Sequence, residues 1–123
     1  MIKTILIVDD EPAARYGLRR ALESKYRIAE ADSAEAARDA LVTEKPDLVL
    51  LDVDMGPGPN GFDVFRQIKA DDATKDIPVV MLTAHESDSD RAIGFAAGAT
   101  QYLTKPFGPL ELIDTIRGIL AHS

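Results

Sequence analysis

The chain has no cysteine and no tryptophan, and its aromatic residues are three tyrosines and four phenylalanines among 123 positions. Without cysteine it forms no disulfide and offers no thiolate to a metal, which removes zinc-ribbon and iron–sulfur chemistry. A positive surface is missing too: 14 basic residues face 21 acidic ones, a net charge of -7. Charge of that sign repels phosphate backbones and argues against direct binding of nucleic acid, so any part in gene regulation is indirect. Long apolar runs are also lacking. Runs such as residues 48–51 fall far below the roughly 18 residues that span a bilayer, and the N-terminus lacks the basic-then-apolar pattern of a signal peptide. The expectation is a cytoplasmic protein without membrane contact, built as a single domain over residues 1–123, a length that buries one core but not two.

What is present is alternation. Short β-branched or leucine-rich runs at 4–8, 27–31, 47–51, 78–82 and 100–103 alternate with five amphipathic stretches of helical length. The apolar residues of those stretches recur at helical spacing: Ala14, Leu18 and Leu22; Ala37, Ala40 and Leu41; Phe62, Phe65 and Ile68; Ile93, Ala96 and Ala97; Leu112, Ile113, Ile116 and Leu120. Ser33 suits the start of the second helix, Asn60-Gly61 the third and Pro109 the fifth, while Gly98 ends the fourth. The first, third and fourth strands are nearly all apolar, as strands covered on both faces are, and the second and fifth read as edges. This pattern predicts an α/β fold, a flavodoxin-like doubly wound sheet of five parallel strands in the order 2-1-3-4-5 with five helices. Such sheets bind ligands beside the switch point, at the carboxyl ends of the strands. That rim receives Asp9 and Asp10 after the first strand, Asp52 after the third, Thr83 after the fourth and Lys105 after the fifth.

Carboxylates gathered there repel one another by about 4 kcal/mol per pair at 4 Å and intermediate dielectric, so the cluster needs a proton or a cation. Magnesium, a hard ion that takes oxygen ligands, is the natural occupant, with manganese as a substitute.

In order and spacing these residues resemble the receiver domain of two-component response regulators, from residue 3 to residue 120. The likeness rests on Val8-Asp9-Asp10-Glu11, Leu51-Asp52, Leu82-Thr83-Ala84, Gly98-Ala99 and Tyr102-Leu103-Thr104-Lys105-Pro106-Phe107. It implies that Asp52 is the phosphoacceptor, phosphorylated by a sensor histidine kinase, a histidine phosphotransfer protein or a small acyl phosphate. It further implies direct metal ligation by Asp10, Asp52 and the backbone carbonyl of Asp54, with Asp9 acting through water. Lys105, the Thr83 hydroxyl and the Ala84 amide would bind the phosphoryl group. Tyr102 would turn inward on activation, and the fourth helix, fifth strand and fifth helix would present an altered face to a downstream protein target. The Lys105-Pro106 bond would be cis.

Two departures accompany the likeness. Met55-Gly56-Pro57 leads to Gly61 nine residues after Asp52, one more than in most receivers, and Asp54 adds a fourth carboxylate, a candidate modulator together with His85. Thr100-Gln101 stands where the DNA-binding branch often carries acidic residues that pair across a dimer, and no output domain is expected within residues 1–123. The rival reading is a phosphohydrolase of the haloacid dehalogenase type, using Asp52 and Asp54, although its motif belongs after a first strand. A flavin carrier of the same topology is disfavoured, because Asp9-Asp10-Glu11 would repel the flavin phosphate.

Overall fold

A computed structural model describes residues 2–53, 61–83 and 100–121. Along the chain run β1 (Thr4–Val8), α1 (Pro12–Leu22), β2 (Arg27–Ala31), α2 (Ala34–Glu44), β3 (Leu48–Asp52), α3 (Gly61–Ala70), β4 (Val79–Thr83), β5 (Gln101–Thr104) and α4 (Pro109–Ala121). The five strands form one sheet in the order β2-β1-β3-β4-β5, every neighbouring pair parallel. Among the described residues there are four helices. The expected helix around Ile93, Ala96 and Ala97, and its stop at Gly98, lie outside those residues.

Strand alternation sorts the core into two layers. Leu6, Val8, Val49, Leu51, Val79, Met81 and Tyr102 pack with Ala37 and Leu41 of α2 and with Val64, Phe65 and Ile68 of α3. Ile5, Ile7, Leu48, Leu50, Val80, Leu82 and Leu103 pack with Leu18 and Leu22 of α1 and with Leu112 and Ile116 of α4. β1, β3 and β4 are buried along their whole length, as central strands require, whereas β2 at the edge is partly exposed. The helix starts follow their local chemistry. Pro12 and Pro109 occupy first turns, where the missing N–H costs nothing, and the Ser33 hydroxyl accepts from the Ala36 amide at 3.1 Å.

Three strands begin and end one residue later than the apolar runs predict. Asp52 pairs with Leu82, and Thr83 with Thr104, so polar residues that resemble turn formers continue the ladder. At the opposite end Pro78 has no N–H to donate, and its carbonyl instead accepts from Val49 at 3.0 Å. The polar rim therefore belongs to the sheet and inherits its rigidity.

Candidate functional site

β1 and β3 are neighbours, with Val8 opposite Leu51, so Asp9 and Asp10, which follow β1, meet Asp52, the last residue of β3, at the carboxyl rim. Ligand oxygens of Asp9, Asp10 and Asp52 all lie within 4.8 Å of one another. Asp9 and Asp52 are buried, and Asp10 is exposed. Lys105 reaches in from the end of β5, its Nζ 3.3 Å from Asp52 Oδ1 and 4.0 Å from Asp9 Oδ2. The Lys105 amide donates to the Thr83 carbonyl at 2.7 Å, which fixes the start of the β5–α4 loop on β4. The Lys105-Pro106 bond is cis, as expected.

Asp9 is held on three sides. Its amide donates to the Ala31 carbonyl at 3.1 Å, its Oδ1 accepts from the Glu11 amide at 2.9 Å, and its carbonyl accepts from Arg15 Nη1 at 2.7 Å. The remaining atom, Oδ2, is buried with no hydrogen-bond partner among the described residues. The Asp9 carboxyl is pushed up to about 6: burial raises it most, the Glu11 amide opposes, and the charge of Asp52 adds to the rise while Lys105 lowers it. Among the described residues this buried acceptor lies beside two further carboxylates and one ammonium, so negative charge exceeds positive there. Hard carboxylate oxygens at this spacing fit a magnesium ion, with manganese as the usual substitute.

Of the other predicted residues, Thr83 and Tyr102 are among those described. Thr83 is buried at the end of β4. Strand alternation places it in the layer of Val79 and Met81, whereas Asp52 shares the parity of Leu48 and Leu50. Tyr102 is buried in the Thr83 layer, paired with Met81. Asp54, Ala84, His85 and the 55–60 loop lie outside the described residues.

Two neighbours of the site are not evident from motif reading. A Cβ added to Gly61 would stand 2.2 Å from the Asp52 carbonyl oxygen and 2.8 Å from Val53 Cα, so glycine is what allows α3 to start against the backbone of Asp52. Its helix-start character was legible, but its close approach to β3 was not. Arg15, one helical turn beyond Glu11, is the second, its Nη1 donating to the Asp9 carbonyl. A basic residue one turn past an acidic loop was the available signal.

The family model of the response regulator receiver domain matches residues 5–117 of the chain. The chain is 44% identical over 122 residues to the phosphate regulon transcriptional regulatory protein PhoB of Pseudomonas aeruginosa, covering 98% of this chain and 53% of that protein. It is 47% identical over 122 residues to the transcriptional regulatory protein YvrH of Bacillus subtilis, covering 98% of this chain and 50% of that protein. The chain thus spans about half the length of these curated relatives. Among solved structures, a putative response regulator from Chloroflexus aurantiacus superposes with a TM-score of 0.90 at 36% identity, covering 98% of this chain and 99% of that one. The chemotaxis protein CheY4 of Vibrio cholerae superposes with a TM-score of 0.89 at 29% identity, covering 95% of this chain and 98% of that one. The phosphohydrolase reading finds no support in these matches. Among the described residues, no helix is long and apolar enough to cross a membrane.

Proposed function

The chain belongs to the response regulator receiver family, and from that premise we propose that Asp52 is its phosphoacceptor, with residues 1–123 working as a single receiver unit. The observation that carries the reading is the convergence of Asp9, Asp10 and Asp52 within 4.8 Å, with the Lys105 ammonium 3.3 Å from Asp52. In the transfer, a carboxylate oxygen of Asp52 attacks phosphorus. The bond from phosphorus to the donor's imidazole nitrogen, or to the acyl oxygen of a small donor, breaks and leaves its electron pair on that atom. Lys105, a compact point charge, pairs with Asp52 before the transfer and with a phosphoryl oxygen after it.

Asp10, Asp52 and the Asp54 carbonyl would ligate magnesium, and Asp9 would bind it through water. When bound, the ion neutralises charge on the phosphoryl oxygens. Thr83 and the Ala84 amide would bind those oxygens as well, and Tyr102 would follow Thr83. Support for that coupling is the pairing of Thr83 with Thr104 and the hydrogen bond from the Lys105 amide to the Thr83 carbonyl, which tie any shift of Thr83 to β5. Phosphorylation then shifts a two-state population and changes the face formed by the segment before β5, by β5 and by α4. Its donor is a sensor histidine kinase or a histidine phosphotransfer protein, and its reader is a downstream protein target. Water attack on the aspartyl phosphate resets the site, with Asp54 and His85 as candidate modulators of its rate.

Incubation with magnesium and a small acyl phosphate, followed by mass spectrometry of the intact protein, tests the assignment. One added phosphoryl group is expected, absent in Asp52→Asn and absent with the metal chelated. Equal labelling of the variant would remove Asp52 from this role.

A further inference from the structure

Arg15 touches neither the carboxylates nor Lys105, yet it holds the backbone from which two of the acidic residues project. Its Nη1 donates to the Asp9 carbonyl at 2.7 Å, and its Nε lies 3.5 Å from Glu30 Oε1 on the edge strand β2. The other oxygen of Glu30 takes Arg19 Nη1 at 2.6 Å, and Arg19 also pairs with Glu23 at 3.6 Å. One carboxylate on β2 thus anchors two arginines of α1, and one of them clamps the β1–α1 turn. The Arg15 side chain is only 19% exposed, so this contact is less screened than a typical surface ion pair.

We infer that Arg15, braced by Glu30, is a positioning residue for the cation site. By holding the Asp9 carbonyl it fixes the direction of the Asp9 and Asp10 carboxylates toward Asp52. The alternative, that Arg15 acts through its charge, predicts the opposite sign: removing a cation near an acidic cluster tightens magnesium binding. Glu30 already offsets that charge, and the guanidinium binds a carbonyl rather than a carboxylate, so geometry dominates. The planar fork serves the carbonyl and Glu30 together, which a lysine ammonium does not match.

This inference rests on the phosphoacceptor reading, and its test separates the two. Magnesium affinity of the intact protein is measured by NMR titration without any phosphoryl donor, alongside the magnesium dependence of labelling by an acyl phosphate. Arg15→Gln should weaken magnesium binding about tenfold, the low end for partners that orient metal ligands. Its maximal labelling rate at saturating magnesium should stay near that of the parent protein. Arg15→Lys should recover part of the affinity, and Glu30→Gln, which changes no residue of α1 or its loop, should weaken it in the same direction even if Arg15→Gln does not fold, a loss that should persist at high salt, where the effect of one missing negative charge is screened. Parent-like or tighter magnesium binding in Arg15→Gln or Glu30→Gln overturns the role of Arg15 alone. Absence of magnesium binding to the parent protein overturns the phosphoacceptor reading, and this inference with it.

Discussion

The two ends of the sheet carry similar residues in opposite electrostatic conditions. At the amino end, Asp47 Oδ2 accepts from the Thr4 amide at 2.8 Å, and the Asp47 amide donates to the Thr4 carbonyl at 2.8 Å. Nearby, Lys69 Nζ donates to the carbonyls of Lys75 at 3.0 Å and Ile77 at 3.3 Å and lies 5.8 Å from the centre of the Phe65 ring. Burial lowers the pKa of that lysine, partly offset by Asp76. At the carboxyl end, among the described residues, one buried oxygen of Asp9 has no hydrogen-bond partner, and the Lys105 ammonium faces both Asp9 and Asp52. A strand end whose acid is paired acts as scaffold. The carboxyl end instead gathers Asp9, Asp10 and Asp52 around the Lys105 ammonium, and the cost of burying Asp9 there is measurable.

That cost supplies the largest expected effect. A carboxyl raised from 3.8 to about 6 holds its proton more tightly in the folded state than in the unfolded one. Its penalty is therefore absent below the ordinary value and grows as pH rises from about 4 through 6, reaching about 3 kcal/mol at neutrality. Asp9→Asn should stabilise the metal-free protein at pH 7.5 by up to that amount and leave it unchanged near pH 4, as read by urea unfolding of both proteins in chelator. Subtracting the two curves removes the titration of carboxylates that do not interact with Asp9. Magnesium should narrow the difference at pH 7.5, since an ion that binds only the folded parent protein would stabilise it. A difference independent of pH would mean that packing, not charge, distinguishes the two ends.

Packing is nonetheless tight at the carboxyl rim, and Gly61→Ala shows how much of the site depends on it. The new methyl would sit 2.2 Å from the Asp52 carbonyl oxygen, and that atom belongs to a buried central strand rather than to a flexible side chain. Overpacking of this kind should cost about 2 kcal/mol. It should also slow acyl phosphate labelling at saturating magnesium, since α3 and the backbone of Asp52 must separate. Unfolding midpoints and labelling rates measured together check both. Normal labelling despite lost stability would mean that the Asp52 side chain tolerates movement of its own backbone.

Much of this arrangement was legible in residue order alone. Alternating apolar runs and helical stripes dictated the βα succession, the continuous apolarity of β1, β3 and β4 marked the central strands, and the exposed character of β2 marked an edge. The site was legible because Asp9, Asp10, Asp52 and Lys105 each follow an apolar run and parallel strands bring such ends together. Strand limits were read one residue early in β3, β4 and β5, since apolarity reports burial, whereas the ladder extends through Asp52, Thr83 and Thr104 wherever a neighbouring strand still pairs. Arg15 and Gly61 escaped for a different reason: their importance lies in a backbone carbonyl each approaches, and carbonyls have no signature in sequence.

The smallest expected effect tests whether the ends are independent. Asp47→Ala removes the acceptor of the Thr4 amide at the entry of β1 and should cost about 1 kcal/mol, the lower end for a part-buried amide left without its acceptor. Asp47 and the carboxylate cluster stand at opposite ends of β1 and β3, five residues apart along each strand, so magnesium affinity and the labelling of Asp52 should not change. A loss of magnesium affinity in Asp47→Ala would show that the β1–β3 ladder carries strain from one end to the other. The amino end would then be part of the mechanism rather than its support.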